Sequence, residues 1–333
     1  MDFLKAPGDA PFFLQVSFPE PHGPSQLPRP YWNMFPPEDM VEPVPGSEVL
    51  SSMGYRMQWL KRLQEDGTPA MVGNWRRYLS NYYGAVRMVD DQIARLMGFL
   101  KDSERGRETL VVFSSDHGDY GMQYGLGRKG VGLSEALTHI PMIWRGPSVK
   151  RSGMDELHFI SLADVMPTLC EAIGATIPEG VQGRSLWTLL RDEVVPAGAF
   201  RSVYTSAGVG GLYYDASDYI PVSIAEDKAD HHRWDTLNMV TQGGNQKMLR
   251  MGKWKLIFDM MGYGQMYDLS VNPHEQNNVF GHLAVASTQN RLMEELAQWV
   301  IRTQKTLPAS AGRRAQKQDS AATPIRDFEP GRN

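Results

Sequence analysis

The chain reads as an α/β fold, a helix-covered sheet of mostly parallel strands, with a small antiparallel sheet and one helix near its C-terminus. Three observations predict this. The stretches "APFFLQVSF" and "ETLVVFSSDHG" are continuous apolar runs without polar alternation, as expected of strands buried on both faces. A long helical period separates them, giving the strand, helix, strand order of α/β proteins. Past residue 240 short apolar runs alternate with Gly-containing turns and end in one amphipathic helix, a pattern of hairpins rather than crossovers.

Taken in order, "MDFLKAP" reads as the last turn of a helix leading straight into the first strand. Residues 19–50 are dense in proline and aromatics, which disfavours helix and central strand and predicts a long ordered loop leaving a strand end. Trp75, Leu79, Tyr82, Val86, Val89, Ile93, Leu96 and Leu100 recur at alternating spacings of four and three, the stripe of a core-facing helix. Asp90 and Asp91 within it point in different directions and read as a solvated face rather than a metal-binding pair. "LVVFSS" supplies the second strand and "HIPMIWRGP" a third, after a Gly-rich excursion. "SLADVMPTLCEAIG" predicts a helix with Ser161 or Asp164 near its start and Gly174 just past its end. "SVYTSAG" is a further strand, carrying the sheet to about residue 208. "QKMLRMGKWKLIFDMMGYGQMYDL" then gives two or three short strands and "TQNRLMEELAQWVIRTQ" a helix. The expected division is an α/β core over 1–235, a small α+β unit over 236–305 and a polar, Pro/Gly-rich tail over 306–333 that should be disordered.

A chain of 333 residues with 41% hydrophobic content can bury one large core, or a core with a smaller satellite. Its 34 basic and 38 acidic residues leave a net charge of −4 with no basic run along the body, so no nucleic-acid partner is expected. Cys170 is the only cysteine, which excludes an intramolecular disulfide, and its apolar helical setting reads as core. No apolar stretch reaches the roughly 20 residues of a membrane-spanning helix, and the first ten residues lack the order of a secretory signal.

In parallel α/β sheets ligands collect outside the carboxyl ends of the strands. Three candidates fall there: His22, the Asp116-His117 pair, and Lys129 on the loop that follows. Asp116 offers a hard anionic oxygen to a divalent cation and His117 a neutral imidazole nitrogen. His22 and Lys129 can donate to an oxyanion or protonate a leaving group. Together they suit an anionic ester. Taken singly, Asp116 could be a turn cap, His117 a turn residue and Lys129 a surface lysine; their shared position at strand ends favours chemistry. Residues 19–74 and 208–247, rich in Trp, Tyr, Arg and His, are expected to line a sugar-sized cleft. Within "DKADHHRWD", His231, His232 and Arg233 are the candidate substrate-reading residues, with a solvated charged loop as the alternative.

In order, "PFFLQVSFPEPHGP", "VVFSSDHGDYGMQYGLGRKG", "HIPMIWRGP", "SLADVMPTLCEAIGATIPEGVQGRSL" and "GQMYDLSVNPHEQNNV" resemble successive blocks of the type I, formylglycine-dependent sulfatases. The resemblance runs from residue 1 to about residue 305. It implies an alkaline-phosphatase-like α/β/α sandwich and a sulfuric ester hydrolase acting on a sulfated small molecule or glycan. It further implies that Asp116 and His117 are ligands of a divalent metal, usually Ca2+, that Lys129 contacts the sulfate oxygens, and that His22 binds the sulfate or assists the leaving group. Asn is common in that family where His117 stands, and an imidazole is a less comfortable calcium ligand than an amide oxygen. His139 lies where the family often has Arg, in a structural or supporting role.

The family's nucleophile, a formylglycine made in a C/S-x-P-x-R motif, has no counterpart in these 333 residues. The Asp-Asp pair and the Lys-x-His block of the family are absent as well. Met1 therefore reads as internal, and the chain as the C-terminal part of a sulfatase, inactive alone. Two other readings stand beside this one: a phosphonate monoester or phosphodiester hydrolase of the same superfamily, and a non-catalytic binding module. Family habit suggests a periplasmic or secreted protein.

Overall fold

The structure, a computed structural model, describes residues 2–5, 10–155, 157–208 and 244–304. Its helices are α1 (Asp2–Lys5), α2 (Tyr55–Gly67), α3 (Pro69–Gly73), α4 (Trp75–Asp102), α5 (Glu104–Glu108), α6 (Glu135–Thr138), α7 (Val165–Ala172), α8 (Trp187–Leu190) and α9 (Ala286–Thr303). Its strands are β1 (Val111–Ser114), β2 (Met142–Arg145), β3 (Ser202–Ala207), β4 (Gln246–Met251), β5 (Trp254–Asp259) and β6 (Gly264–Asp268).

Helix α4 follows the predicted stripe, and the proline-rich segment is an ordered loop held on it. Ser80 donates to the Phe35 carbonyl at 2.6 Å and Tyr31 to Asp91 at 2.9 Å. Gly84 makes the approach possible, because a Cβ there would lie 2.5 Å from the Tyr31 carbonyl oxygen. Asp91, also bonded to Arg87, serves this packing. Helix α7 has the expected start, a capping box between Ser161 and Asp164, and Gly174 follows it at φ +70°.

The strand partners differ from expectation. "PFFLQVSF" is not a strand: it runs without sheet pairing among the described residues, with Phe13 79% and Val16 47% exposed. An apolar run becomes a central strand only where neighbours close its ladder of N–H and C=O groups. β1 and β2 pair antiparallel, not parallel, with Val111 opposite Arg145 and Ser114 opposite Met142. A parallel return needs a crossover of a dozen or more residues, usually a full helix. Here the connection, residues 115–141, is long enough for a crossover but holds only two short turns, Gln123–Gly125 and α6, in place of a full helix, and it brings the chain back from the end it left. β3 is the edge of the second sheet, in the order β3-β4-β5-β6, all antiparallel. It therefore joins the C-terminal unit rather than the first sheet. Residue 235, the expected division, lies outside the described residues, as does the 306–333 tail. Residues 55–67, read as part of a cleft-lining stretch, form a helix whose Met57, Trp59 and Leu60 are buried.

Two cores result. One packs α2 against the 118–137 segment through Met57, Trp59, Leu60, Tyr120, Tyr124, Leu126 and Leu137. The other packs Leu249, Leu256 and Met266 of the four-stranded sheet against Leu292 and Leu296 of α9. Each of these side chains removes its apolar surface from water, about 1.5–3 kcal/mol per fully buried Leu or Met.

Candidate active site

The Asp116-His117 pair leaves the end of β1 on a loop that its own core anchors. Ser114 Oγ donates to the Pro141 carbonyl at 2.8 Å, tying the strand end to β2. The Gly118 N–H donates to the Leu137 carbonyl of α6 at 2.9 Å, and a Cβ on Gly118 would lie 2.0 Å from the Ala136 carbonyl oxygen. The loop then turns inward: Tyr120, Tyr124 and Leu126 are buried, and Tyr120 donates to the Val131 carbonyl at 2.8 Å. Gln64 of α2 acts as a short strand mimic, donating to Gly127 O at 2.8 Å and accepting from Gly127 N at 2.9 Å. The outward-facing residues of the loop are thus carried on a packed base.

Lys129 returns to the site from the far limb. Its Nζ lies 3.1 Å from His117 Nε2, and His117 Nδ1 lies 2.8 Å from the Gly118 carbonyl. An ammonium only donates and a carbonyl only accepts, so these two contacts pair Nδ1 as donor to Gly118 with Nε2 as acceptor from Lys129. Asp116 is 85% exposed, with Oδ2 at 3.4 Å from His117 Nε2 and Oδ1 accepting from the His117 N–H at 2.9 Å. The structure therefore brings Asp116, His117 and Lys129 together. His22 is exposed, and its recorded bonds are to its own turn, N–H to Pro19 O at 3.0 Å and Nδ1 to Gly23 O at 2.7 Å. His231, His232 and Arg233 lie outside the described residues. His139 is exposed, with Nδ1 at 3.6 Å from Glu135.

One carboxylate and one imidazole do not by themselves make a divalent-cation site. Calcium takes six to eight oxygens, and no group of three or more His, Cys, Asp or Glu gathers for a metal among the described residues. In addition, the Nε2 lone pair that a metal would use is engaged by Lys129.

Behind the loop a buried charge cluster joins the four-stranded sheet to α6. Lys255 of β5 is fully buried, 2.8 Å from Glu275 and 3.0 Å from Glu135 of α6. Glu275 also accepts the Glu135 N–H at 2.8 Å, and Arg250 lies 3.8 Å from Glu135. Burial pushes the Glu135 carboxyl up, but the adjoining Lys255, then Arg250 and His139, hold it below its ordinary value. Glu135 opens the turn against which Gly118 packs, so this cluster is part of the site's foundation. Its members, like Gln64, Tyr78 and Asp119, are outside the residues the sequence singles out. Lys255, set between apolar neighbours in "WKLIF", is the one signal that could have pointed to it.

Comparison with known proteins follows the same lines. The family model described as Sulfatase matches residues 1–175, over half of the chain. The multifunctional alkaline phosphatase superfamily protein PehA of Trinickia caryophylli is 26% identical over 313 residues, 90% of this chain and 57% of its own length. The N-acetylglucosamine-6-O-sulfatase of Bacteroides thetaiotaomicron is 26% identical over 232 residues, 69% of this chain and 37% of its own. The crystal structure of the phosphonate monoester hydrolase of Agrobacterium radiobacter superposes with a TM-score of 0.72 at 24% identity, covering 91% of this chain and 59% of that one. The chain thus spans little more than half the length of PehA and of that hydrolase, and it shares their alkaline-phosphatase-like α/β fold. No helix among the described residues is long and apolar enough to cross a membrane. On the matched family model, the chain belongs to the sulfatase family.

Proposed function

We propose that the protein hydrolyses a sulfate ester, with a sulfated carbohydrate as substrate. The observation that carries this reading is the exposed Lys129 ammonium held beside His117 and Asp116 at the end of β1, in a chain of the sulfatase family. The reaction forms a bond from a nucleophile oxygen to sulfur and breaks the bond between sulfur and the ester oxygen. Negative charge then grows on the leaving oxygen and persists on the sulfuryl oxygens. Lys129 supplies a fixed positive charge to those oxygens, the arrangement that favours a transition state over its ground state. His22 is proposed to donate to the sulfate or to the leaving oxygen. No C/S-x-P-x-R motif occurs in these 333 residues, so none of them is assigned as nucleophile.

Asp116 and His117 are proposed as two ligands of a calcium ion in the whole protein. For His117 to act so, Lys129 must turn from Nε2 toward the anion. His231, His232 and Arg233 are proposed to read the sugar. The sulfated-sugar substrate takes support from the name of the Bacteroides relative, and a periplasmic or secreted location is proposed with it. A second reading keeps the fold and exchanges the ester for a phosphonate monoester; it takes support from the name of the Agrobacterium radiobacter hydrolase, whose structure covers 91% of this chain.

The test is a calorimetric titration of the chain with an aryl sulfate and with a phosphonate monoester, repeated for Lys129→Ala. Sulfate binding that weakens by about tenfold in the variant supports the proposal, since a charge-assisted contact is lost. Equal affinity in the variant overturns it, and tighter phosphonate binding moves the assignment to the second reading.

A further inference from the structure

Lys129 and His117 sit on opposite limbs of a loop that its own backbone disfavours. Between the two limbs, Gly121, Met122, Tyr124, Gly125 and Arg128 all have φ between +54° and +74°. Three of these are not glycine, and left-handed backbone is unfavourable for residues that carry a Cβ. Such a conformation persists only where its surroundings over-determine it. Gln64 holds the buried middle of the loop, as described above. A different group holds the two limbs to each other.

We propose that Tyr78 of α4 is a positioning residue, a latch that closes the loop and sets Lys129 against His117. Its phenolic oxygen accepts from the Arg128 N–H at 3.0 Å and donates to Asp119 Oδ1 at 2.9 Å. Arg128 immediately precedes Lys129, and Asp119 is two residues past His117. A single oxygen therefore spans the entry and exit limbs of the loop. Asp119 Oδ1 also accepts from the Gly121 N–H at 2.8 Å, where the left-handed stretch begins. Burial, with the Asp119 charge beside it, keeps the phenol protonated, so it remains a donor to Asp119 while accepting from Arg128. Besides the Lys129–His117 contact, the limbs share two further bonds, Tyr120 N–H to the Arg128 carbonyl at 2.9 Å and the Tyr120 hydroxyl to the Val131 carbonyl at 2.8 Å. Tyr78 thus fixes the other face of the same residue, Arg128, and prevents the limb carrying Lys129 from swinging outward. The inference rests on the reading of Lys129 as the anion-binding cation, and it gives α4 a role beyond packing.

The test uses the 333-residue chain with Tyr78→Phe, which keeps the ring and removes the latch oxygen. Tyr83→Phe, an exposed hydroxyl on the same helix, is the control. Three quantities are read by NMR: amide exchange at Arg128, the ring-nitrogen shift of His117, and affinity for inorganic sulfate. Tyr78→Phe is expected to speed Arg128 exchange by about tenfold, the scale of one lost hydrogen bond, with Leu249 and Leu256 amides unchanged. It is expected to move the His117 Nε2 signal as Lys129→Ala does, and to weaken sulfate binding. A merely structural tyrosine would leave the His117 signal in place. Asp119→Ala, which removes the latch's acceptor, should move the same signal and serves if the first variant does not fold. An unchanged His117 signal and unchanged Arg128 exchange in Tyr78→Phe overturn the proposal. If the unmodified chain takes no sulfate, the reading of Lys129 fails while the exchange and His117 measurements still decide the latch.

Discussion

Lys255→Met tests whether the charge cluster beneath the loop holds the four-stranded sheet against α6. The variant keeps the length and approximate volume of the side chain and removes its charge. Lys255 and Glu275 are both buried, at 0% and 1% side-chain exposure, and their ion pair is 2.8 Å long. Removing one partner of such a pair costs about 3–5 kcal/mol, because the other charge is left without compensation in a poorly solvated site. Glu135 is better placed, since it is partly exposed and Arg250 lies 3.8 Å away, so most of the loss falls on Glu275. Urea denaturation followed by tryptophan fluorescence near pH 7 should show the deficit. A second change, Glu275→Gln, removes the stranded charge while keeping an oxygen for the Glu135 N–H, and should restore most of the stability. The pH dependence has a defined sign. Glu135 has a depressed folded-state pKa, so its contribution is present above its unfolded pKa and is lost as pH falls through the folded value. In Lys255→Met the largest cause of that lowering is removed, so the gap between variant and parent narrows as pH falls through the folded value of Glu135. A loss under about 1 kcal/mol near neutrality, the scale of an exposed ion pair, or a double variant weaker than the single one, would refute the reasoning.

Two further outcomes follow from the site geometry. Gly118→Ala places a Cβ 2.0 Å from the Ala136 carbonyl oxygen, and the rigid backbone on both sides must separate. A loss of about 1–3 kcal/mol is expected, read as a lower thermal midpoint, together with a displaced His117 ring signal. Calorimetric titration of the chain with Ca2+ should show only weak binding, because the described residues gather one carboxylate and one imidazole for it; tight stoichiometric uptake would contradict the ligand count.

Much of the secondary structure was legible because period and punctuation are local properties. The four-and-three spacing from Trp75 to Leu100 became α4, and the runs around Gly252 became the β4–β5 hairpin, with Gly252 at φ +56° in its two-residue turn. The Ser161–Asp164 cap and the start of α7 were likewise readable from a few adjacent residues. The strand-end position of Asp116 and His117 was legible for the same reason, and so was the return of the loop that carries Lys129. His22 was placed by a strand that did not form, and its site role remains part of the proposal.

What the sequence by itself determined was which segments bury an apolar face and where turns interrupt them; this settled α4, α7, α9 and β4 to β6, and placed Asp116 and His117 beyond a strand. Only the tertiary structure decided partners. β1 met β2 antiparallel, β3 joined the C-terminal sheet, and "PFFLQVSF" met no strand, because apolar periodicity records that a face is buried and not against what. The same holds for polar groups. Lys255 is stable in the interior only beside Glu135 and Glu275, and the 118–131 loop is bonded to Gln64, Tyr78 and Val44. These partners lie far away along the chain, so no local pattern encodes them.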